Sequence, residues 1–144
     1  MRIDGRWLLC EDGAVRPVIR GEVLASSGAW LSTEFLVDTG ADCTVLSALT
    51  LEALRLPPAV AQTRLGGVGG IADSIVVDTQ IRFSRETGSK VLFRGQYTAV
   101  SQVESLDMCV LGRDVTDLLA VVVDRPNAVV CLLGQRHRYP IEQN

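Results

Sequence analysis

Histidine and lysine are nearly missing from this chain: His137 and Lys90 stand alone in 144 residues. A Ser-His or Cys-His couple needs an imidazole base. The one candidate lies in the polar stretch Gln135-Arg136-His137-Arg138, where a solvated surface residue is the simpler reading. Cysteine is sparse and scattered. Cys10, Cys43, Cys109 and Cys131 contain no C-x-x-C pair, so the spacing of a zinc site is absent and no metal or other cofactor is expected. Long apolar runs are also lacking. The longest aliphatic stretch, 118–123, has six residues, against the ~20 needed to cross a bilayer. Near the start only Trp7-Leu8-Leu9-Cys10 is apolar before Glu11-Asp12, too little for a signal-peptide core. Neither sign of charge dominates: 14 basic and 17 acidic side chains give a net charge of −3. That argues against nucleic acid or an anionic membrane surface as a partner. The expectation is a soluble cytoplasmic protein with reduced thiols, most of them buried as small hydrophobes.

What is abundant is β-forming. Nineteen positions are valine and 47% of residues are apolar, which favours a folded β-rich body over disorder. The length suits one domain. Strand-like patterns at 15–24 and 30–37, separated by Ala25-Ser26-Ser27-Gly28, predict a β-hairpin. A helix is expected over 47–56, capped by Ser47 and stopped by Pro57-Pro58. Strands at 71–83 and 91–100 flank a polar turn. A short helical stretch at 113–119 precedes strands at 121–123 and 128–133. The organisation predicted is an N-terminal arm at 1–13 (a short strand or irregular), a domain at 14–133 and a C-terminal tail at 134–144.

Three segments carry chemistry. In Phe35-Leu36-Val37-Asp38-Thr39-Gly40-Ala41-Asp42 an apolar strand runs into an acid, a hydroxyl and a glycine. The strand can hold the Asp38 carboxylate in a fixed, partly buried place, and Gly40 lets the chain turn and a ligand approach. A plain Asx turn would also use the Asp and the Gly. Gly66-Gly67-Val68-Gly69-Gly70 is the second segment. A phosphate loop would need a following Lys-Ser/Thr and a helix start. Here a strand follows, which fits a β-hairpin able to close over a bound chain. The third is Val110-Leu111-Gly112-Arg113, where Arg113 could pair with Asp42 if the two segments lie side by side. Val77-Asp78-Thr79-Gln80 copies the first motif but lacks its glycine, and reads as an exposed strand acid.

Together, in this order, the three segments resemble the retropepsins, the aspartic proteases of retroviral type, over about residues 16–133. The resemblance implies an all-β, single-domain, retropepsin-like closed β barrel with one or two short helices and a flap hairpin, dimeric in its working form. It implies that Asp38 is the catalytic acid, that Thr39 joins an interlocking hydroxyl pair at the dimer base, and that Gly40 accepts a substrate hydrogen bond. Asp42 would also bind substrate while pairing with Arg113. Val68 would lie at the flap tip with Gly66 and Gly67. Leu36, Ala41, Val45, Leu65, Val68, Met108 and Val110 would line an apolar pocket. Arg16-Pro17 is similar to the family's N-terminal Arg-Pro, so Arg16 would reach Asp42 of a second chain. Cys43 stands where viral members commonly carry a second acid, and the tail from Gly134 to Asn144 is extra. A single Asp-Thr-Gly supplies one carboxylate, so the second must come from an identical chain. The implied function is a homodimeric aspartic endopeptidase acting on peptide or protein substrates. Two other readings are open: an idle retropepsin-like dimerisation or peptide-binding module, and a metal- or nucleotide-dependent hydrolase, which the missing ligand patterns disfavour. The preference for arginine over lysine suggests a GC-rich coding genome, as in a bacterium.

Overall fold

The computed structural model describes residues 1–67, 70–102, 106–134 and 142. The elements, in chain order, are β1 (Arg2–Asp4), β2 (Arg6–Leu9), β3 (Val15–Leu24), β4 (Trp30–Val37), β5 (Val45–Leu46) and α1 (Ala48–Leu54). They continue as β6 (Val60–Gly67), β7 (Gly70–Ser84), β8 (Lys90–Val100), β9 (Cys109–Leu111), α2 (Arg113–Thr116), β10 (Ala120–Asp124) and β11 (Val129–Leu133). Eight strands form one sheet in the order β2-β3-β4-β9-β5-β8-β7-β6, and the rest form a three-stranded sheet, β1-β11-β10. The larger sheet also returns on itself, because β3 pairs with β7 through Glu22↔Arg82 and Val23↔Ile81. The protein is mostly β, as the valine content and turn spacing predict.

Alternation explains the long strands. In β3 and β4, inward Ile19, Val23 and Phe35 are fully buried while Arg20 faces out. Phe35 and Phe83 meet edge-on at 5.7 Å, and Phe83 meets Phe93 at 6.0 Å, forming the aromatic centre of the core. The helix over 47–56 is present but shorter. Ser47 caps it by accepting from Thr50 N, and Arg55 enters the left-handed region at φ 53°, ending it before Pro57 is reached. The second helix stops at Thr116.

The first thirteen residues are woven into both sheets. β1 pairs with β11, and β2 pairs with β3. Gly5 is the crossing point: its N–H donates to Val130 O at 2.8 Å, and a Cβ there would sit 2.4 Å from Val18 O. Among the described residues no helix is long and apolar enough to cross a membrane.

Candidate active site

The site is set by one parallel strand pair. β9 lies beside β4 in the register Phe35↔Cys109, Leu36↔Val110 and Val37↔Leu111. Parallel strands end on the same side, so Asp38 and Gly112 emerge level with each other. Asp38 N donates to Leu111 O at 3.2 Å, fixing that level.

Past β4 the chain turns at once. Gly40 N donates to Asp38 Oδ1 at 2.9 Å and Ala41 N donates to Asp38 O at 3.2 Å. The Asx turn is therefore real, and its effect is to orient the carboxylate. Among the described residues no donor reaches Asp38 Oδ2. Asp38 is half-buried, and Thr39 and Gly40 are exposed. A carboxylate with one oxygen anchored and the other open suits work on an incoming molecule.

The turn is held from below by the Leu-Gly-Arg segment. Arg113 N donates to Ala41 O at 2.8 Å, and the Arg113 Nη2 group pairs with Asp42 Oδ1. Gly112 packs so closely that a Cβ would lie 2.3 Å from both the carbonyl carbon and oxygen of Cys43. No side chain fits there. Two further residues complete the brace: Thr44, which belongs to the Thr44-Val45-Leu46 stretch of the retropepsin resemblance but had no role assigned, and Asp114, which was not foreseen. Thr44 is fully buried; its N–H and Oγ1 both donate to Asp114 Oδ1, at 2.9 and 2.6 Å. Since the Thr44 hydroxyl spends its one proton on Asp114, it accepts from Gly112 N at 3.1 Å. The only local signal was an acid opening α2 and a threonine following Cys43.

Beside the turn lies a small apolar cluster, separate from the main core. Val45, Ala48, Val100 and Val110 are buried, with Leu36, Ala41, Cys43, Leu65 and Leu106 packed on them. Of the expected pocket residues, Leu36, Ala41, Val45, Leu65 and Val110 are thus brought together. Met108 is half-buried and stands outside the cluster, whereas Leu106, Val100 and Ala48 were not foreseen. Burial pushes the Cys43 thiol up, partly offset by its contact with Thr98 Oγ1 at 3.9 Å and reinforced by the charges of Asp114 and Asp42. It is a protonated, weakly nucleophilic thiol at neutral pH.

Gly66 pairs with Ile71 and Gly67 with Gly70, so the glycine-rich segment is the end of the β6–β7 hairpin. Val68 itself lies outside the described residues, as does His137. Arg16, the expected reach to Asp42 of a second chain, forks here onto Asp12 of its own chain, with Nη1 and Nη2 donating at 2.9 and 2.6 Å. That fork holds the Asp12 carboxyl down at about 2. Asp78 is exposed in the middle of β7, opposite Gln96, and Thr79 Oγ1 donates to Leu24 O at 2.7 Å. The second Asp-Thr pair therefore belongs to the sheet.

The site is thus an Asp-Thr-Gly turn at a strand end, braced by a Leu-Gly-Arg turn in a mostly β domain. The family model described as retroviral aspartyl protease matches residues 13–123, and the chain belongs to that family. Among solved structures, the retropepsin-like aspartic protease from Rickettsia conorii is similar at a TM-score of 0.54 and 15% identity, covering 92% of this chain and 86% of that one. The EIAV protease, solved with the inhibitor HBY-793, is similar at a TM-score of 0.51 and 23% identity, covering 71% of this chain and 86% of that one. At those identities the likeness establishes a retropepsin-like fold. No curated protein matches the chain in sequence.

Proposed function

We propose that this protein is a homodimeric aspartic endopeptidase that hydrolyses peptide bonds with a water held between two Asp38 carboxylates, one from each chain. The observation that carries the reading is the Asp38 turn: one anchored oxygen, one open oxygen, and a brace through Gly112, Arg113 and Thr44 that keeps both in place. Each chain supplies one such turn, so two chains make one site.

Two carboxylates brought within a few Å cannot both ionise, and they titrate as one unit holding a single proton. The ionised member takes a proton from the water as the oxygen attacks the scissile carbonyl carbon. The protonated member donates to the carbonyl oxygen, giving a neutral tetrahedral species. Its collapse breaks the C–N bond: the first carboxyl delivers the proton taken from water to the leaving nitrogen while the second takes a proton back from one hydroxyl, leaving a carboxylic acid, an amine and a dyad that again holds one proton. Thr39 is exposed at the turn, where its hydroxyl is available to its counterpart on a second chain. Gly40 and Asp42 would hold the substrate backbone. The β6–β7 hairpin would cover it as a flap. The apolar cluster around Val45 and Val110 would favour apolar side chains next to the scissile bond. The β3–β7 pairing supports a closed barrel as the body that carries these parts.

A peptide-library digestion from acidic to neutral pH, with wild type and Asp38→Asn in parallel, tests the proposal. The variant should fold normally and lose about 10²–10⁴-fold of the cleavage rate, the contribution of a positioned acid–base group. Cleavage by Asp38→Asn at the wild-type rate would remove Asp38 from the mechanism. A wild type that binds peptides and cleaves none would favour the idle-module reading instead.

A further inference from the structure

We infer that a groove beside β7, at the opposite end of the β3–β4 hairpin from Asp38, is a second peptide-binding site. It takes an extended segment of the protein substrate remote from the scissile bond. The inference rests on the endopeptidase reading above and adds a further contact between that enzyme and its substrate.

The second edge of β7 is not paired throughout. β8 runs beside β7 from Ser74 to Ser84, whereas on the other side pairing with β6 ends at Val76 and pairing with β3 covers only Ile81 and Arg82. The gap falls on residues 77–80, the stretch that holds the Asp78-Thr79 pair the catalytic site does not use. Asp73 O accepts from Ser101 N, just past β8, at 3.2 Å, and Val76 O accepts from Ala59 N, on the other side, at 2.7 Å. Alternation along the strand therefore turns the N–H and C=O of Asp78 into the gap, where no strand meets them. Leu56-Pro57-Pro58 crosses this gap between Leu54, whose O accepts from Ser26 N at 3.0 Å, and Ala59. Its two prolines have no N–H to give the Asp78 carbonyl.

The gap opens as a groove of about 390 Å³, in the size range of ligand sites. Its walls are apolar: Leu24 and Ala25 at the end of β3, and Leu56. Thr79 and Gly95, which are cross-strand partners, also line it. The Thr79 hydroxyl is already engaged with Leu24 O at 2.7 Å, and Gly95 is exposed and brings no side chain, so the hollow stays open. Packing does not demand glycine there. A Cβ at Gly95 would meet only the Tyr97 side chain, at 3.7 and 3.8 Å, and the residue has no positive φ. A glycine inside a strand commonly marks close approach by a ligand or another backbone.

An extended chain suits this groove. Its backbone would bond the N–H and C=O of Asp78 as an added strand does, with its side chains alternating between two faces. On one face an apolar side chain fills the hollow. On the other, Asp78 is an exposed carboxylate without an ion-pair partner among the described residues, and it favours a basic side chain. Arg94 lies one strand further in, opposite Gln80. From Val18↔Leu36 to Leu24↔Trp30 the hairpin runs six residues, about 20 Å. An extended substrate covers that span in about six residues, so a chain held at Asp38 reaches the groove with its own flanking sequence.

The test uses the full-length protein. The blocked peptide acetyl-Arg-Val-Arg-Val-amide should shift the backbone amide signals of Asp78 and Gly95 saturably, and acetyl-Glu-Val-Glu-Val-amide should not. Gly95→Val, which fills the hollow, should weaken that binding at least tenfold. Asp78→Arg should do the same by setting like charges together. A peptide that the wild type cleaves is then extended at either end by Arg-Val-Arg-Val through a linker of about six glycine and serine residues. One of the two extensions should lower KM at least fivefold with kcat unchanged. Gly95→Val should erase that gain while cleaving the short peptide as the wild type does. If Gly95→Val misfolds, Asp78→Arg at the exposed position decides the matter. An absence of saturable shifts, or equal binding by a folded variant, would overturn the site. Binding without any gain in KM would overturn the substrate as its source and assign the groove to a separate peptide partner. Binding in a protein that cleaves nothing would overturn the protease reading and leave the peptide site standing.

Discussion

Asp114 does not touch the position of a substrate, yet the geometry makes it a positioning residue for the Asp38 turn. It is the shared acceptor for the backbone and hydroxyl of Thr44, and Thr44 in turn accepts from Gly112 N. Removing that acceptor leaves the N–H of a fully buried residue without a partner, at a cost of about 1–3 kcal/mol. Asp114→Ala should therefore lower the denaturation midpoint and reduce kcat through a loosened turn. Asp114→Asn keeps an oxygen where Oδ1 stands and should restore most of both. Equal losses in the two variants would show that the charge, rather than the accepted hydrogen bonds, is what matters. The same stretch explains why Gly112 has no substitute: the main chain of Cys43 and Thr44 fills the space a side chain would need.

At the scale of elements, the β3–β7 pairing that returns the large sheet on itself is only two residue pairs long, and it carries its own electrostatic clasp. Glu22 and Arg82 are direct cross-strand partners and form an ion pair, with Lys90 Nζ 3.5 Å from the other Glu22 oxygen. The Arg82 guanidinium also stacks 4.0 Å from the Trp30 ring centroid. Arg82, and then Lys90, hold the Glu22 carboxyl below its ordinary value of 4.5. A depressed folded value gives stability that is complete above the unfolded value and is lost as pH falls through the folded one. Glu22→Gln should thus be less stable than wild type at neutral pH by about 0.5–1 kcal/mol, the range for a partly exposed pair. The difference should vanish in acid below the folded value. Urea midpoints measured at neutral and strongly acidic pH check this, and a difference that persists in acid would mean packing rather than charge.

Much of this element layer was legible in the chain. The 15–24 and 30–37 hairpin fell where alternation and the Ser27-Gly28 turn put it. The long β7 and β8 arms did so for the same local reason. Helix ends were less legible: Arg55 adopts a left-handed conformation that its side chain does not advertise. Pairings between distant strands were not legible at all. The parallel β4–β9 contact that sets Asp38 beside Gly112, and the Thr44–Asp114 bond across 70 residues, depend on how strands assemble. The Asp42–Arg113 ion pair is the exception, anticipated because an arginine beside one turn favours a carboxylate beside another and because the retropepsin resemblance implies the pair.

For the molecule as a whole, the proposed mechanism places catalytic capacity in pairs of chains. If each site needs one ionised and one protonated Asp38, a chain carrying Asp38→Asn remains a competent partner for assembly and an incompetent one for chemistry. Mixing it with wild type, above the dissociation range and with time for exchange, should draw wild-type chains into mixed dimers. At equal amounts with random exchange, about half of the wild-type chains keep a wild-type partner, so activity per wild-type chain should fall to about half. A larger excess of the variant should drive it further toward zero. A domain that worked alone would show no such loss, because the variant could not reach its site. Titrating the variant against a fixed amount of wild type, with cleavage of one peptide as the readout, separates the two cases. A flat titration at concentrations where sedimentation shows exchanged dimers would mean that one Asp38 is enough for cleavage.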